Sequence, residues 1–266
     1  MKRVAVIPHA GLCNRMRAIA SAIRIARKFE AEVVIYWNHT WDCSAHFYDL
    51  FEEIGLKGVR LVENKSLMHK VKMRKHFKIP YFMQKLYYNQ VIYDFDRNKK
   101  GDIFPLLHFK KNLLLHSCYI MCDYDALGTI FKPSRTVQNE LDKVTAGFTS
   151  KTVGVHVRGT DHTLAKTNST LERFITQMQQ AIELDGEVNF YLATDEQEVK
   201  EVMQQRFGHR ILTHPTVLNR NSLEGMIGGM VDLFALSKTS YIIGSYGSSY
   251  SEVAAELGGV NLVIAK

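Results

Sequence analysis

Arg158, Thr160, Asp161 and His162 stand within five positions of each other, directly after the apolar run at residues 152–157. This run is rich in β-branched residues and carries no charge, which predicts a buried strand. Charged residues after a buried strand lie at the carboxyl edge of the sheet, where ligands bind in open α/β folds. A guanidinium at that edge suits phosphate oxygens. Taken alone, the stretch is equally well explained by a surface ion pair between Arg158 and Asp161 that caps the strand.

Two more predicted strands in the second half, at residues 188–193 and 241–244, end in polar residues. Small residues before a helix let the backbone approach an anion, and the helix N-terminus supplies unpaired N–H groups with partial positive charge. Acidic side chains accept hydrogen bonds from ribose hydroxyls or base N–H groups. Together the three strand ends predict a nucleotide-diphosphate site, although single residues here are also explained as helix N-caps. The polar residues are Thr194, Asp195 and Glu196 after the first strand, and Ser245, Gly247, Ser248 and Ser249 after the second.

The N-terminal residues predict a strand, a turn containing Gly11, an amphipathic helix and a second strand, which together form a βαβ unit. The turn lacks a G-x-G-x-x-G motif, so an ordinary dinucleotide site is not indicated. Asn14 and Arg15 at the start of the helix place an amide and a cation where an anion would bind. The alternative is that Asn14 caps the helix.

Strands and helices are predicted to alternate along the whole chain, which is typical of parallel sheets. We expect an α/β fold with two Rossmann-like domains, residues 1–148 and 149–266. In the second half, capping-box spacing at Ser169–Glu172 and Ser249–Glu252 marks two helix starts. The predicted strands are residues 4–7, 32–37, 58–62, 113–121, 152–157, 188–193, 210–213, 241–244 and 260–264.

The composition is that of a globular protein, with 46% hydrophobic and 23% charged residues among 266. The first residues contain too short an apolar region for a signal peptide, so we expect a cytoplasmic location. A formal charge of +7 implies attraction to nucleic acid, an anionic membrane surface or a phosphorylated small molecule. The basic run at residues 65–78 fits peripheral contact with the inner face of a membrane, or the solvated face of a helix. It lacks a nucleic-acid-binding motif, so no nucleic-acid partner is expected.

The four cysteines match neither a zinc ribbon nor a disulfide framework. Cys118 and Cys122 lie in an apolar segment, where core thiols are expected. The sequence therefore predicts no metal site.

Four segments, residues 11–15, 154–161, 191–195 and 245–254, resemble the motifs of the α1,2/α1,6/protein-O-fucosyltransferase superfamily. They occur in the family's order over nearly the whole chain, although residues 38–150 carry little of the resemblance. The resemblance implies a GT-B-like architecture, with two Rossmann-like domains and a cleft between them. It also implies an acceptor-side N-terminal domain, a C-terminal domain that binds GDP-fucose, inversion at the anomeric centre and no catalytic metal.

The resemblance assigns roles to residues in the C-terminal motifs. Arg158 matches the arginine that contacts the β-phosphate and helps GDP to leave, and the backbone of His156 would lie near guanine. Asp195 matches an acidic position near the guanosine. Ser248 and Ser249 fall in the segment that meets the phosphates.

Outside these motifs, Asp232 resembles a further acidic position on the nucleotide side. In the N-terminal motif, Asn14 and Arg15 would reach the donor across the cleft. With these residues the expected donor-binding set is complete, and GDP-fucose is a substrate rather than a cofactor.

The sequence departs from the family pattern at three positions: Cys13 replaces a glycine, Gly159 replaces a second arginine and Lys166 replaces a glutamate found in α1,6 enzymes. The last change leaves the general base open. Asp161 and His162 are the candidates, and ordering of the loop explains both equally well.

The expected function is transfer of L-fucose from GDP-fucose to a glycan hydroxyl, as in the biosynthesis of cell-surface polysaccharide or lipid-linked oligosaccharide. One alternative is an inverting transferase that uses another GDP-sugar, since no residue in the motifs inspects the fucose methyl group. Another is a non-catalytic protein that binds nucleotides or glycans. The acceptor and the linkage are not encoded in the motifs.

Overall fold

The computed structural model describes residues 2–63, 81–159, 167–215, 219 and 221–266. The chain forms two compact units, residues 1–132 and 133–266. Each unit holds a five-stranded parallel sheet in its described part, which confirms the predicted α/β class. The basic run at residues 65–78 lies outside the described residues. None of the helices in the described ranges combines the length and apolar character needed to cross a membrane.

The first unit has strand order β3-β2-β1-β5-β4. Its strands are β1 (Lys2–Pro8), β2 (Ala31–Trp37), β3 (Val59–Glu63), β4 (Gln90–Tyr93) and β5 (Asn112–Ser117). Its helices are α1 (Leu12–Lys28), α2 (Phe47–Leu50), α3 (Tyr81–Lys85) and α4 (Arg97–Lys100), with 3₁₀ turns at Phe104–Leu106 and Leu127–Thr129. The predicted βαβ start is confirmed, whereas β4 has no counterpart among the predicted strands.

The second unit has strand order β10-β9-β6-β7-β8. Its strands are β6 (Thr152–Val157), β7 (Asn189–Thr194), β8 (Ile211–Leu212), β9 (Tyr241–Gly244) and β10 (Asn261–Ile264). Its helices are α5 (Arg135–Thr145), α6 (Leu171–Leu184), α7 (Gln197–Phe207), α8 (Leu223–Ser237) and α9 (Ser249–Gly258), with a 3₁₀ turn at Gly208–Arg210.

Helix α5 begins the second unit, because it packs against α8. The two units therefore divide between Lys132 and Pro133, ahead of α5. The sequence predicted a boundary between residues 148 and 149 instead. That boundary assigns α5 to the first domain.

The core of the second unit explains why β6 is buried on both faces. Val153, Val155 and Val157 alternate along the strand and pack with Phe174 and other apolar side chains of α6 and α7. The intervening residues of β6 point to the opposite face, where His156 contacts α9. Burial of both faces is typical of a central parallel strand.

Two predicted helix caps differ from the structure. Thr170 is the N-cap of α6, and the Ser169 hydroxyl instead accepts a hydrogen bond from the backbone N–H of Tyr246, at 2.9 Å. In α9 the N-cap is Ser248, and Ser249 is the first helical residue. Ser169 thus joins the start of α6 to the loop after β9, a long-range contact that local spacing does not encode.

Candidate functional site

The second sheet reverses its strand order beside β6. From β6 the chain proceeds through β7 and β8 on one side, and then through β9 and β10 on the other. In open parallel sheets this reversal leaves a crevice outside the carboxyl ends of the two central strands, and ligands bind there. The relevant residues therefore follow β6 and β9, with those after β7 beside them.

Ser245 ties the loop after β6 to the loop after β9. Its hydroxyl accepts a hydrogen bond from the backbone N–H of Arg158, at 2.8 Å, and donates one to the carbonyl of His156, at 3.2 Å. Ser245 is itself buried. The sequence placed this serine in the turn, but the sheet order was needed to show that it supports Arg158.

Arg158 is held by Asp195. Its Nη1 donates to Asp195 Oδ2, while Asp195 Oδ1 accepts a hydrogen bond from the backbone N–H of Gly159, at 2.8 Å. The side chains are 22% and 24% exposed, so solvent reaches both. The carboxylate thus binds both the guanidinium and the loop that carries it. From the sequence, Asp195 was expected near the guanosine. Its hydrogen bond to Arg158 was not part of that expectation.

Glu196 occupies the space beside Gly159. A Cβ built on Gly159 would lie 2.0 Å from the carboxyl carbon of Glu196. The acidic side chain therefore fills the position in which a side chain at residue 159 would lie. A side chain at position 159 therefore requires the end of the flexible Glu196 side chain to rotate away.

The N-terminus of α9 lies directly after β9. Gly247 has a positive φ of 64°, which glycine adopts without steric cost, and it turns the chain into the helix. Ser248 is the buried N-cap, and its side chain makes no capping hydrogen bond within the described part of the chain. The N–H groups of the first turn, which begins at the half-buried Ser249, lack partners within the helix and carry partial positive charge.

His156 anchors α9 to β6 rather than titrating near neutral pH. Its Nδ1 lies 2.7 Å from Ser251 Oγ, and its ring stacks on Tyr250 with the centroids 4.6 Å apart. Burial lowers the pKa of His156 to about 3, so the imidazole is neutral at physiological pH. These contacts fix the helix N-terminus beside the end of β6.

Asp232 lies on α8, buried against β7. It accepts a hydrogen bond from the Tyr191 hydroxyl at 2.5 Å, and His214 Nδ1 is 3.7 Å away. Burial raises the pKa of Asp232 to about 7, although the hydrogen bond from Tyr191 acts in the opposite direction. The contacts of Asp232 thus join α8 to β7 and residue 214, whereas those of Asp195 lie in the loop after β6.

Arg15 in the first unit is fully buried. Its guanidinium donates to the Ala10 carbonyl at 2.8 Å, to the Asn38 carbonyl at 2.7 Å and to the Thr40 hydroxyl at 2.6 Å. Arg15 Cζ also lies 4.9 Å from the centroid of the Trp37 ring. The side chain therefore connects the loop after β1 to the segment after β2, a role that differs from the donor contact expected from the sequence.

Asn14 is the third residue of α1 and is half-buried. Gly11 is the N-cap of this helix, so the structure does not support the alternative in which Asn14 caps it. The two candidate bases, Asp161 and His162, lie outside the described residues.

The sequence matches no protein-family model and no curated protein. The structure is similar to solved fucosyltransferases. It resembles NodZ α-1,6-fucosyltransferase soaked with GDP-fucose at a TM-score of 0.68 and 16% identity, covering 97% of this chain and 93% of that one. The fucosyltransferase NodZ from Bradyrhizobium gives a TM-score of 0.65 and 16% identity, covering 96% of this chain and 93% of that one.

Two further likenesses involve complexes with GDP. A mutant of Arabidopsis thaliana FUT1 in complex with GDP gives a TM-score of 0.65 and 17% identity, covering 99% of this chain and 70% of that one. POFUT1 in complex with GDP gives a TM-score of 0.56 and 10% identity, covering 99% of this chain and 98% of that one. At these identities the likeness establishes the fold: the chain has the GT-B-like α/β fold of these fucosyltransferases.

Proposed function

We propose that this protein is an inverting fucosyltransferase that moves L-fucose from GDP-fucose to a hydroxyl of a glycan. The C-terminal unit is the donor-binding part, and the N-terminal unit is the acceptor side. The motif resemblance and the neighbours' fold support this proposal, as does the neighbour NodZ, an α-1,6-fucosyltransferase whose crystal was soaked with GDP-fucose. Arg158, Asp195, Ser245 and the N-terminus of α9 all lie within residues 149–266.

The observation that carries the proposal is the placement of Arg158 at the strand-order reversal. Departure of GDP from fucose develops negative charge on the diphosphate and positive charge on the sugar. An oriented guanidinium and the N–H groups at the start of α9 would stabilise the first of these charges. Because Asp195 and Ser245 already hold Arg158 and its backbone, little reorganisation is needed during the reaction.

The same groups support a transfer step that needs no divalent cation. A guanidinium and helix-end N–H groups supply positive charge to a diphosphate without a metal. The carboxylate at this site, Asp195, is bonded to Arg158 and to the backbone of Gly159. We assign Asn14 from the first unit to the donor-binding set and keep Arg15 as its structural support.

The acceptor side of the proposal rests on the resemblance and the composition. We assign the acceptor to the class of cell-surface polysaccharide or lipid-linked oligosaccharide, made in the cytoplasm or at the inner face of a membrane. The basic run at residues 65–78 supplies charge of the sign that an anionic surface attracts. Asp161 and His162 are the candidates for the base that accepts the proton of the acceptor hydroxyl.

The proposal is tested by calorimetric titration in EDTA with GDP-fucose, GDP, GDP-mannose and UDP-galactose. We expect GDP-fucose and GDP to bind and UDP-galactose not to bind. Stronger binding of GDP-mannose than of GDP-fucose would support a GDP-sugar site but would assign mannose as the transferred sugar. Absence of binding by every GDP compound would contradict the proposal, and binding without GDP release across a broad acceptor panel would favour a non-catalytic protein.

A further inference from the structure

Three side chains with metal-ligand chemistry meet at the carboxyl edge of the first sheet. His9 follows β1, His116 lies near the end of β5 and Asp94 follows β4. These strands are neighbours in the order β1-β5-β4, so the sheet brings His9 close to two residues that are more than 80 positions away in the sequence. The prediction of no metal site was made from the cysteine pattern. This cluster contains no cysteine, so that pattern carries no information about it.

The three ligand atoms, one from each residue, all lie within 4.8 Å of one another. His9 Nε2 and Asp94 Oδ1 are 2.7 Å apart, and the centroids of the two imidazole rings are 4.6 Å apart. Zinc bonds to imidazole nitrogen and carboxylate oxygen at about 2.0–2.1 Å, so tetrahedral ligand atoms are about 3.3 Å from each other. The observed separations, 2.7 Å between His9 Nε2 and Asp94 Oδ1 and at most 4.8 Å for the other pairs, therefore span the separation expected at a zinc site.

The backbone holds this cluster before any ligand binds. His9 and His116 are 3% and 1% exposed, so both rings are packed in fixed positions. The backbone N–H of Asp94 donates to the carbonyl of His116 at 2.7 Å, and that of His9 donates to the carbonyl of Ser117 at 3.3 Å. Asp94 has a positive φ of 45°, a conformation that aspartate tolerates better than most residues. Its side chain is 37% exposed, so the cluster opens to solvent on this side.

A second cluster, His39, His46 and Glu63, has a similar composition and a simpler explanation. Glu63 Oε2 lies 2.8 Å from His46 Nδ1, and Glu63 Oε1 accepts a hydrogen bond from the backbone N–H of Phe47. The glutamate thus binds the first turn of α2. The His46 side chain is 59% exposed, so it is less well held than the rings of the first cluster.

We propose that His9, Asp94 and His116 form a binding site for a divalent transition metal, with zinc the ion that best suits two imidazoles and one carboxylate. Three protein ligands leave one coordination position open to water, which is the arrangement of catalytic rather than structural zinc sites. The site lies in the first unit and uses none of the donor-binding residues of the second. It therefore stands or falls independently of the proposed fucosyl transfer.

The test is calorimetric titration of the full-length, chelator-treated protein with ZnCl₂, together with visible absorption after addition of Co²⁺. The variants are Asp94→Asn, which changes a partly exposed side chain, and His9→Gln. His46→Asn is the control for the second cluster, and His108→Asn is the control for a histidine outside both clusters. Circular dichroism confirms that each variant folds.

We expect the wild-type protein to bind one Zn²⁺ and to give the intense Co²⁺ absorption of a four-coordinate site. Asp94→Asn and His9→Gln should each weaken Zn²⁺ binding by at least about 10-fold, the scale set by loss of a supporting group around a metal. His46→Asn and His108→Asn should bind as the wild type does. No Zn²⁺ binding by the wild type, or an affinity that Asp94→Asn leaves unchanged, would overturn the proposal.

Discussion

Arg15 and Arg158 both follow the first strand of a five-stranded parallel sheet, yet their surroundings are opposite. Arg15 is fully buried, and it bonds to two carbonyls and a hydroxyl of its own unit. Arg158 is 22% exposed, and its guanidinium donates to the carboxylate of Asp195. A guanidinium has five N–H donors in a fixed fork, so the partners supplied by neighbouring loops decide whether it supports structure or binds a ligand.

The difference between the two arginines lies in the loop that follows the adjacent strand. After β2, residues 38–40 turn back over α1, and Asn38 and Thr40 accept hydrogen bonds from Arg15. After β7, Asp195 leads into α7, and its carboxylate orients Arg158 at the edge. Arg15, within the first turn of α1, therefore serves stability, whereas Arg158, directly after β6, serves chemistry in our proposal.

The largest expected effect on stability is that of Arg15→Ala. The change leaves two buried acceptors and one partly buried acceptor without their donor, so we expect the free energy of unfolding to fall by roughly 3–5 kcal/mol in a denaturant titration. The control is Arg24→Ala on the exposed face of the same helix, which should change it by less than about 0.5 kcal/mol. If Arg15→Ala leaves stability intact but abolishes GDP-fucose binding, Arg15 is a donor ligand and the comparison fails.

A smaller effect is expected for Asp195→Asn. The amide removes the ionic partner of Arg158 while keeping the shape of the side chain, so the guanidinium is less well oriented. We expect GDP-fucose affinity in calorimetry to fall by about 10-fold, or roughly 1.4 kcal/mol. Glu198→Gln, on the exposed first turn of α7, is the matched control. Tighter binding by Asp195→Asn would show that the carboxylate competes with the diphosphate instead of positioning Arg158.

A separate effect is a pH dependence of the free energy of unfolding that arises from Asp232. Its folded pKa of about 7 lies above the ordinary value of 3.8, so folding favours the protonated acid. The stability this group contributes is complete below pH 3.8 and is lost as the pH rises towards 7. Asp232→Asn mimics the protonated acid and should therefore become more stable relative to wild type across that range, as measured by denaturant unfolding at several pH values. A difference that does not vary with pH would contradict the raised pKa.

Much of the candidate donor site was predictable from the sequence because strand ends are local features. The buried runs at residues 152–157 and 241–244 are confirmed as β6 and β9, and β7 ends within one residue of its prediction. Parallel pairing then places the residues after these strands at one edge. The partner of each side chain was not predictable in the same way. The bond between Arg158 and Asp195 and the link through Ser245 depend on which loops become neighbours.

The first unit shows where sequence patterns carry less information. β4 is four residues long, and its apolar run at residues 91–93 is shorter than the run of at least about four residues that indicates a buried strand. Because β4 was not among the predicted strands, nothing in the sequence placed Asp94 beside β5. The proximity of Asp94 to His9 and His116 was therefore not predicted. Burial of Arg15 was missed for a related reason, because two of its three acceptors lie more than 20 positions away in an irregular segment.

The central claim is that Arg158 stabilises the leaving diphosphate, and the most direct measurement is the rate of GDP release from saturating GDP-fucose by Arg158→Ala. The control is Arg206→Ala, on the exposed surface of α7. We predict a fall of at least about 100-fold, the scale of removing one donor that stabilises a developing anion. The free energy of unfolding should change by less than about 1 kcal/mol, because the ion pair is partly exposed. A folded Arg158→Ala variant that releases GDP within a few-fold of the wild-type rate would contradict the claim.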